Sequence, residues 1–93
     1  MRSEYAKVLE NKTVAQDFVL LTLFSPAAFE QPIQPGQFAH LKVPNAPDRL
    51  LRRPISICDW QEETLRVVFE IRGEGTAWLA RRSVGDTLDV LGP

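Results

Sequence analysis

Two arginines stand beside a proline in the apolar run Leu51-Arg52-Arg53-Pro54-Ile55-Ser56-Ile57. A guanidinium offers a rigid fork of donors that suits a phosphate, and Pro54 removes a ladder donor, which leaves a gap where a ligand could approach the backbone. An edge strand with solvated arginines explains the same residues. Strict alternation would place Arg53 and Ser56 on opposite faces, so a shared ligand requires a bend at Pro54. The run therefore indicates either an anion site or an edge strand.

A second candidate is the glycine turn Arg72-Gly73-Glu74-Gly75-Thr76. Glycines let the backbone adopt unusual angles and approach a ligand closely, and the turn leads into a predicted helix whose first N–H groups favour an anion at Gly75 and Thr76. The glycine spacing fits neither a P-loop nor a dinucleotide-binding fingerprint. The turn therefore indicates a phosphate cradle, with an ordinary loop as the alternative.

The two residue types that most often bind metals or act as nucleophiles, cysteine and histidine, each occur once in the chain. Cys58 is the only cysteine and His40 the only histidine, which excludes an internal disulfide and a site built from several thiolates of this chain, and argues against a metal centre. We predict that Cys58 is a small buried side chain, that His40 is structural, and that Trp60 and Trp78 belong to the core or an interface. We predict no catalytic acid or base.

Composition narrows the class of protein. The chain has 93 residues, of which 44% are hydrophobic and 25% charged, and this is typical of one globular domain. A formal net charge of −1 argues against a nucleic-acid binder. No apolar stretch approaches the roughly 18–20 residues that cross a bilayer. We therefore expect a cytoplasmic protein that binds neither nucleic acid nor membrane.

Short runs of β-compatible residues, separated by turn signals, must position these groups. They predict strands over 5–12, 17–24, 37–43, 50–58, 64–72 and 87–91, with a hairpin loop over 13–16 and a proline-rich loop over 25–36. A helix is predicted over 76–82, capped by Thr76 and with Arg81 and Arg82 at the negative end of its dipole. The strands suit a sandwich or a small closed barrel, and we favour the barrel because closure removes exposed edges.

The candidate motifs occur in a familiar order. Arg53-Pro54-x-Ser56, a strand, Gly73-x-Gly75-Thr76, a short helix and then Gly85-Asp86-Thr87 together resemble the FAD-binding domain of the ferredoxin-reductase family. Within that family, the run 51–57 and the ending Asp89-Val90-Leu91-Gly92-Pro93 are most similar to electron-transfer subunits of dihydroorotate dehydrogenase B. The resemblance covers nearly the whole chain.

The resemblance implies that residues 1–93 form an all-β domain, a six-stranded antiparallel Greek-key barrel with one short helix. FAD would lie along one side, with its pyrophosphate near Arg53 and the helix start at Gly75 and Thr76. Ser56 would lie by the isoalloxazine, and Pro54 and Ile55 would belong to the same cofactor-binding run. Further flavin contacts, largely through backbone groups, would come from Glu70, Ile71 and Arg72. The barrel would position the cofactor and tune its electronics.

The family continues into a nicotinamide-binding domain and, in the dihydroorotate enzymes, a four-cysteine 2Fe–2S segment. We therefore expect the 93 residues to be an excised or truncated domain that binds FAD without turning over NADH. NAD and the 2Fe–2S cluster would belong to the full-length subunit, and the partner would be the catalytic, FMN-containing dihydroorotate dehydrogenase subunit. The alternatives are the flavin domain of an NADH-dependent ferredoxin–NADP reductase or of a hydrogenase-linked subunit, and a cofactor-free β-barrel interaction domain.

Overall fold

Antiparallel strands make up most of the computed structural model, which describes residues 2–25, 37–45, 49–61 and 63–92. In chain order the elements are β1 (Arg2–Ala15), β2 (Phe18–Phe24), β3 (Phe38–Asn45), β4 (Arg49–Gln61), β5 (Thr64–Glu70), α1 (Glu74–Ala80) and β6 (Thr87–Gly92). The strands close into a barrel in the order β1-β2-β5-β4-β3-β6, with every neighbouring pair antiparallel. The prediction of a six-stranded antiparallel barrel with one short helix is confirmed.

Apolar side chains from alternate positions of the strands fill the interior of the barrel. In the β2–β5 ladder, for example, buried Leu21 pairs with buried Val67. Successive side chains point to opposite faces of a strand, so every second residue enters the interior, and removing these groups from water is the main force that closes the barrel. The buried apolar residues are Ala6, Val8, Val19, Leu21, Leu23, Ala39, Leu41, Val43, Ile55, Ile57, Leu65, Val67, Phe69, Leu79, Leu88 and Val90.

The Greek-key connection places the helix. Strands β3, β4 and β5 are antiparallel neighbours, and the chain then returns through α1 so that β6 lies beside β3. Leu79 of α1 is buried in the core, and the helix contacts β3. The glycine turn joins β5 to α1 at the start of this return and lines a hollow together with Pro54 and Ile55 of β4.

The first turn is tighter than the sequence predicts. β1 continues to Ala15 and β2 starts at Phe18, so only Gln16 and Asp17 connect them, instead of a loop over 13–16. Asp17 has φ of 63°, in the left-handed region that aspartate tolerates better than most residues. The Gln16-Asp17 pair contains no glycine, so it is a weak signal for a two-residue hairpin connection.

The helix begins earlier than predicted. α1 starts at Glu74 and ends at Ala80, its N-cap is Gly73 and its C-cap is Arg81, so the prediction of Thr76 as the cap is wrong. The first helical hydrogen bond runs from the Ala77 N–H to the Gly73 carbonyl, at 2.9 Å. The predicted glycine turn is therefore partly helical.

Two strand pairs that involve β6 close the barrel. β1 pairs with β6 from Arg2 opposite Gly92 to Lys7 opposite Thr87. The described β3–β6 ladder is shorter, because it joins only His40 with Leu91 and Leu41 with Val90. Among the described residues, no helix is long and apolar enough to cross a membrane.

Candidate functional site

Strands β4 and β5 separate at one end of their ladder. The described pairing ends with Ser56 opposite Val68, and the same register, continued by two residues, would bring Pro54 opposite Glu70. The Ile71 N–H donates to the Asp17 carbonyl at 2.7 Å, so alternation along β5 directs the backbone N–H and C=O of Glu70 toward β4. Proline has no N–H to offer there. The carbonyl of Glu70 therefore receives no ladder hydrogen bond from Pro54 at this point.

Two adjoining hollows open at this separation. The first, of about 370 Å³, is lined by Pro54, Ile55, Arg72, Gly73, Gly75 and Thr76. The second, of about 350 Å³, is lined by Pro54, Ile55, Ser56, Val68, Phe69, Glu70, Arg72 and Thr76. They share four lining residues, so together they form one elongated depression, which we call the β4–β5 groove. Its walls are β4, the end of β5 and the glycine turn.

The groove brings together seven of the nine residues that the sequence predicts for the cofactor: Pro54, Ile55, Ser56, Glu70, Arg72, Gly75 and Thr76. Arg53 lies on β4, opposite Leu41 in the β3–β4 register, but its side chain is outside the described part of the chain. Ile71 does not line the groove: its side chain packs against the core, and its N–H is taken by Asp17.

Three lining residues were missed by the sequence reasoning. Gly73 belongs to the glycine turn but is not among the predicted cofactor contacts, and Val68 and Phe69 are predicted only as strand residues. Counting the antiparallel register outward from Ser56 and Val68 shows why these two lie beside the groove. The register itself, however, depends on which strands pair, and periodicity does not reveal that.

Gly73 leaves one wall of the groove open. Its φ and ψ are −170° and −168°, an extended conformation that any residue adopts, so the expectation that it supplies an unusual backbone angle is wrong. A Cβ built at this position meets nothing within 4 Å. The position therefore matters for the space it leaves free beside the groove.

Arg72 brings positive charge to the rim. Its Nε donates to Oε1 of Glu70 at 2.7 Å, and its side chain is 80% exposed. Such an exposed pair adds little to stability, about 0–1 kcal/mol, but it fixes the direction of the guanidinium. The contact uses Nε alone, which leaves the terminal nitrogens of the fork able to donate to an anion.

On β4, Ile55 and Ser56 face different environments. Ile55 is buried and contributes an apolar surface, whereas Pro54 and Ser56 are exposed on the outer face of the strand. The groove thus offers an apolar wall, a hydroxyl and a guanidinium within one depression. This combination suits a flat, largely apolar group that carries an anionic tail.

Cys58 lies on the surface, so the prediction of a buried side chain is wrong. A β-bulge between Ile57 and Asp59 interrupts the β4–β5 ladder and leaves Cys58 as the extra residue. Partial burial, and then the Asp59 carboxylate, raise the pKa of the thiol above its ordinary value. The thiol therefore stays protonated at neutral pH, which disfavours a nucleophilic role.

The two tryptophans differ in their environments. Trp60 is 37% exposed at the end of β4, so it is a surface residue and not a core one. Trp78 is partly buried against the core, and the Arg82 guanidinium lies 3.9 Å from its ring centroid.

In the described ranges, no group of three His, Cys, Asp or Glu side chains could hold a metal ion.

No protein-family model matches the chain. The chain is 41% identical over 92 residues to the dihydroorotate dehydrogenase B (NAD(+)) electron transfer subunit of Bacillus caldolyticus, covering 97% of this chain and 35% of that protein. It is 40% identical over 94 residues to the same subunit of Enterococcus faecalis, covering 99% of this chain and 35% of the relative. The chain thus spans about a third of the length of these relatives.

Solved structures share the barrel. The structure of an NADH-dependent reduced ferredoxin-NADP oxidoreductase superposes with a TM-score of 0.79 at 26% identity, covering 95% of this chain and 32% of that one. A ferredoxin NADP+ reductase from Neisseria gonorrhoeae with bound FAD and NADP superposes with a TM-score of 0.75, covering 97% of this chain and 37% of that one. Its 20% identity shows a common fold alone.

Proposed function

Since the chain belongs to the ferredoxin-reductase-like family and is related in sequence to dihydroorotate dehydrogenase B electron-transfer subunits, we propose that it is the FAD-binding domain of such a subunit. The observation that carries the proposal is the β4–β5 groove. Seven residues that the motif order singles out for FAD line this one depression, where the described β4–β5 ladder ends.

The groove suits FAD in shape and in chemistry. The open wall at Gly73 leaves room beside the motif residues. Arg53, together with the free terminal nitrogens of Arg72, would neutralise the pyrophosphate, since guanidinium forks match phosphate oxygens. Pro54, Ile55 and Ser56 would lie along the flavin ring, and the backbone carbonyl of Glu70 would accept a hydrogen bond from it. Bound FAD would supply the redox chemistry, accepting electrons from one partner and passing them to another.

The activity of the whole protein extends beyond this chain. We propose that the complete subunit transfers electrons from dihydroorotate oxidation to NAD through FAD and a 2Fe–2S cluster, in pyrimidine biosynthesis. Its partner would be the catalytic, FMN-containing dihydroorotate dehydrogenase subunit. The names of the relatives support this assignment, and so does the near-complete coverage of this chain by them. The 93 residues would bind FAD but would not oxidise NADH alone, and a cytoplasmic location stays a prediction.

The structural similarity to an NADH-dependent reduced ferredoxin-NADP oxidoreductase supports a second candidate. The domain would then serve a ferredoxin-linked reductase and not a dihydroorotate enzyme. Sequence identity favours the first candidate, at 41% against 26%. Assay of the intact subunit with its native partner separates them: dihydroorotate-dependent reduction of NAD supports the first, whereas exchange of electrons only with ferredoxin supports the second.

Titration with FAD tests the cofactor proposal directly. We expect the purified chain to retain flavin after desalting and to quench its fluorescence on titration. FAD at a hundred times its Kd should stabilise the fold by about 2.7 kcal/mol, which raises the Tm of a domain of this size by about 10 °C or more. FMN, which lacks the pyrophosphate bridge and adenosine, should bind more weakly. An unshifted Tm, with no retained flavin and no quenching, would contradict the proposal and favour the cofactor-free interaction domain.

A further inference from the structure

Glu70 is the only carboxylate among the described residues that line the β4–β5 groove. It is the last residue of β5, and it lines the second hollow beside Pro54, Ile55 and Ser56, the residues proposed to follow the flavin ring. Its side chain is 38% exposed, so water screens its charge only in part. A negative charge is therefore built into the wall of a site whose proposed ligand is itself an anion.

The two ends of the ion pair that Glu70 makes differ in their exposure. Its Oε1 accepts from the Arg72 Nε at 2.7 Å, and the Arg72 side chain is 80% exposed. On β2, Phe18 lies opposite Glu70 in the β2–β5 register, and the continued β4–β5 register would bring Pro54 opposite it on the other side. Solvent thus screens the guanidinium more than the carboxylate, which has apolar residues on both sides.

We propose that the Glu70 carboxylate makes the β4–β5 groove prefer the oxidised over the reduced form of a bound flavin. The inference rests on the proposed FAD function and adds to it a determinant of the reduction potential. Reduction adds two electrons to FAD, and above the pH at which the reduced ring loses its N1 proton only one proton is taken up with them. The reduced cofactor then carries one more negative charge, which a carboxylate in the same groove repels.

The preference has a fixed sign because it acts through charge. Binding and reduction are linked, so the potential of bound FAD differs from that of free FAD according to the ratio of the Kd values of its two oxidation states. Weaker binding of the reduced form lowers the potential, and bound FAD then passes its electrons on more readily. Charge close to the ring is one of the means by which a protein tunes a flavin.

Glu70→Gln removes the charge and keeps the shape, and its amide oxygen can still accept from the Arg72 Nε. The potential of FAD bound to the 93-residue chain is measured above that pH, by titration with dithionite against a reference dye. We expect the affinity for reduced FAD, relative to oxidised FAD, to rise about fivefold, which raises the potential by about 20 mV. An unchanged or lowered potential would overturn the proposal.

Glu63 provides the matched control. It is an exposed residue before Thr64, at the opposite end of β5 and roughly 20 Å along the strand from Glu70, and it lines neither hollow. Glu63→Gln changes the net charge of the chain by the same amount, but at this distance it should leave the potential unchanged. A shift as large as that of Glu70→Gln would show that net charge, and not the groove, sets the potential, and would overturn the proposal.

Arg72→Gln makes the opposite change of charge in the same ion pair. It should lower the relative affinity for reduced FAD about twofold or more, because the carboxylate is then left without its cation. A raised potential in this variant would show that disturbance of the groove, and not charge, sets the preference, and would overturn the proposal. A parent chain that retains no FAD would overturn the proposed function and this inference with it. Equal potentials in the parent and in Glu70→Gln would overturn this inference alone.

Discussion

Arg53 is the residue on which we expect FAD affinity to depend most. It precedes Pro54 on β4, next to the groove, and a guanidinium fork can neutralise a pyrophosphate. Arg53→Ala should remove a charge-assisted contact of about 1.5–3 kcal/mol, and so weaken FAD about ten- to more than a hundredfold in a fluorescence titration. Circular dichroism of the same samples verifies that the variant is folded.

The neighbouring arginine is the matched control. Arg52 pairs with Lys42 in the β3–β4 register, whereas Arg53 pairs with Leu41. Arg52 lies outside the Arg-Pro-x-Ser motif, so Arg52→Ala should change FAD affinity only a few-fold, through the long-range field. If Arg53→Ala binds FAD as tightly as the parent while Arg52→Ala does not, the assignment of the phosphate contact is wrong.

Gly73 should tolerate a side chain in the fold but not in the complex. A Cβ there meets nothing within 4 Å, and its backbone is extended, so Gly73→Leu should cost the FAD-free chain no more than about 1 kcal/mol from the changed N-cap. Its side chain would crowd the groove. We expect FAD to bind roughly five- to more than a hundredfold more weakly, while the Tm of the FAD-free chain changes little.

Gly85 is the control for Gly73, because a side chain at Gly85 should affect stability and not FAD affinity. Its φ of 97° lies in the region that L side chains avoid, and it does not line the groove. Gly85→Leu should lower stability by roughly 1–2 kcal/mol in urea unfolding and leave the FAD affinity of the folded chain unchanged. A Gly73→Leu variant that keeps full FAD affinity would show that the ligand does not approach this wall.

Residue types made most of the groove predictable. The chemistry of an anion site is carried by the arginine, proline and serine of β4 and by the glycine turn. These two motifs follow one another in the same order as in the family. The sequence did not reveal that the Arg72 and Ile71 amides have partners inside the chain, because those bonds depend on the actual turn geometry. It also missed the bulge that exposes Cys58.

At the scale of elements, Asn11 braces the helix that borders the groove. Its Nδ2 donates to the Ala80 carbonyl at 2.9 Å and to the Arg82 carbonyl at 2.6 Å, just where a helix leaves carbonyls unpaired. Asn11→Ala removes both contacts from a half-buried place and should lower the free energy of unfolding by about 1–3 kcal/mol. Urea denaturation measures the loss, and amide exchange should show it in α1.

Lys12 is the control for this prediction. It is the exposed neighbour of Asn11 on β1, and a surface substitution away from special contacts changes stability by about 0.5 kcal/mol or less. Lys12→Ala should therefore unfold at nearly the parent urea concentration. An Asn11→Ala variant that matches Lys12→Ala would show that α1 does not depend on this contact.

Element boundaries were harder to predict than element identity. Alternation is a strong signal and predicts all six strands, but the predicted helix starts two residues too late. Thr76 is a good N-cap residue by type, yet Gly73 takes that place, and the Thr76 hydroxyl bonds back to the turn instead. Local propensity is a weak guide where a side chain has several backbone partners within reach.

At the scale of the whole molecule, closure of the barrel followed from the sequence, but its strand order did not. Alternation shows which residues face inward, and six such strands favour closure. It does not show that β2 lies beside β5 or that β6 returns to β3. That order creates the β4–β5 separation, so the location of the groove became visible only with the register.

The pairing of β1 with β6 makes the barrel a candidate for circular permutation. Arg2 lies opposite Gly92, and paired antiparallel residues have Cα atoms about 4.5–5.5 Å apart, so a short Gly-Ser linker could join the two ends of the chain. New ends could be opened between exposed Gln16 and Asp17, which would also release the left-handed backbone of Asp17. We expect the permuted chain to give the circular dichroism spectrum of the parent and to bind FAD with the same affinity. A permuted chain that stays unfolded would show that folding requires the covalent β1–β2 connection. A folded one would show that the barrel forms without it.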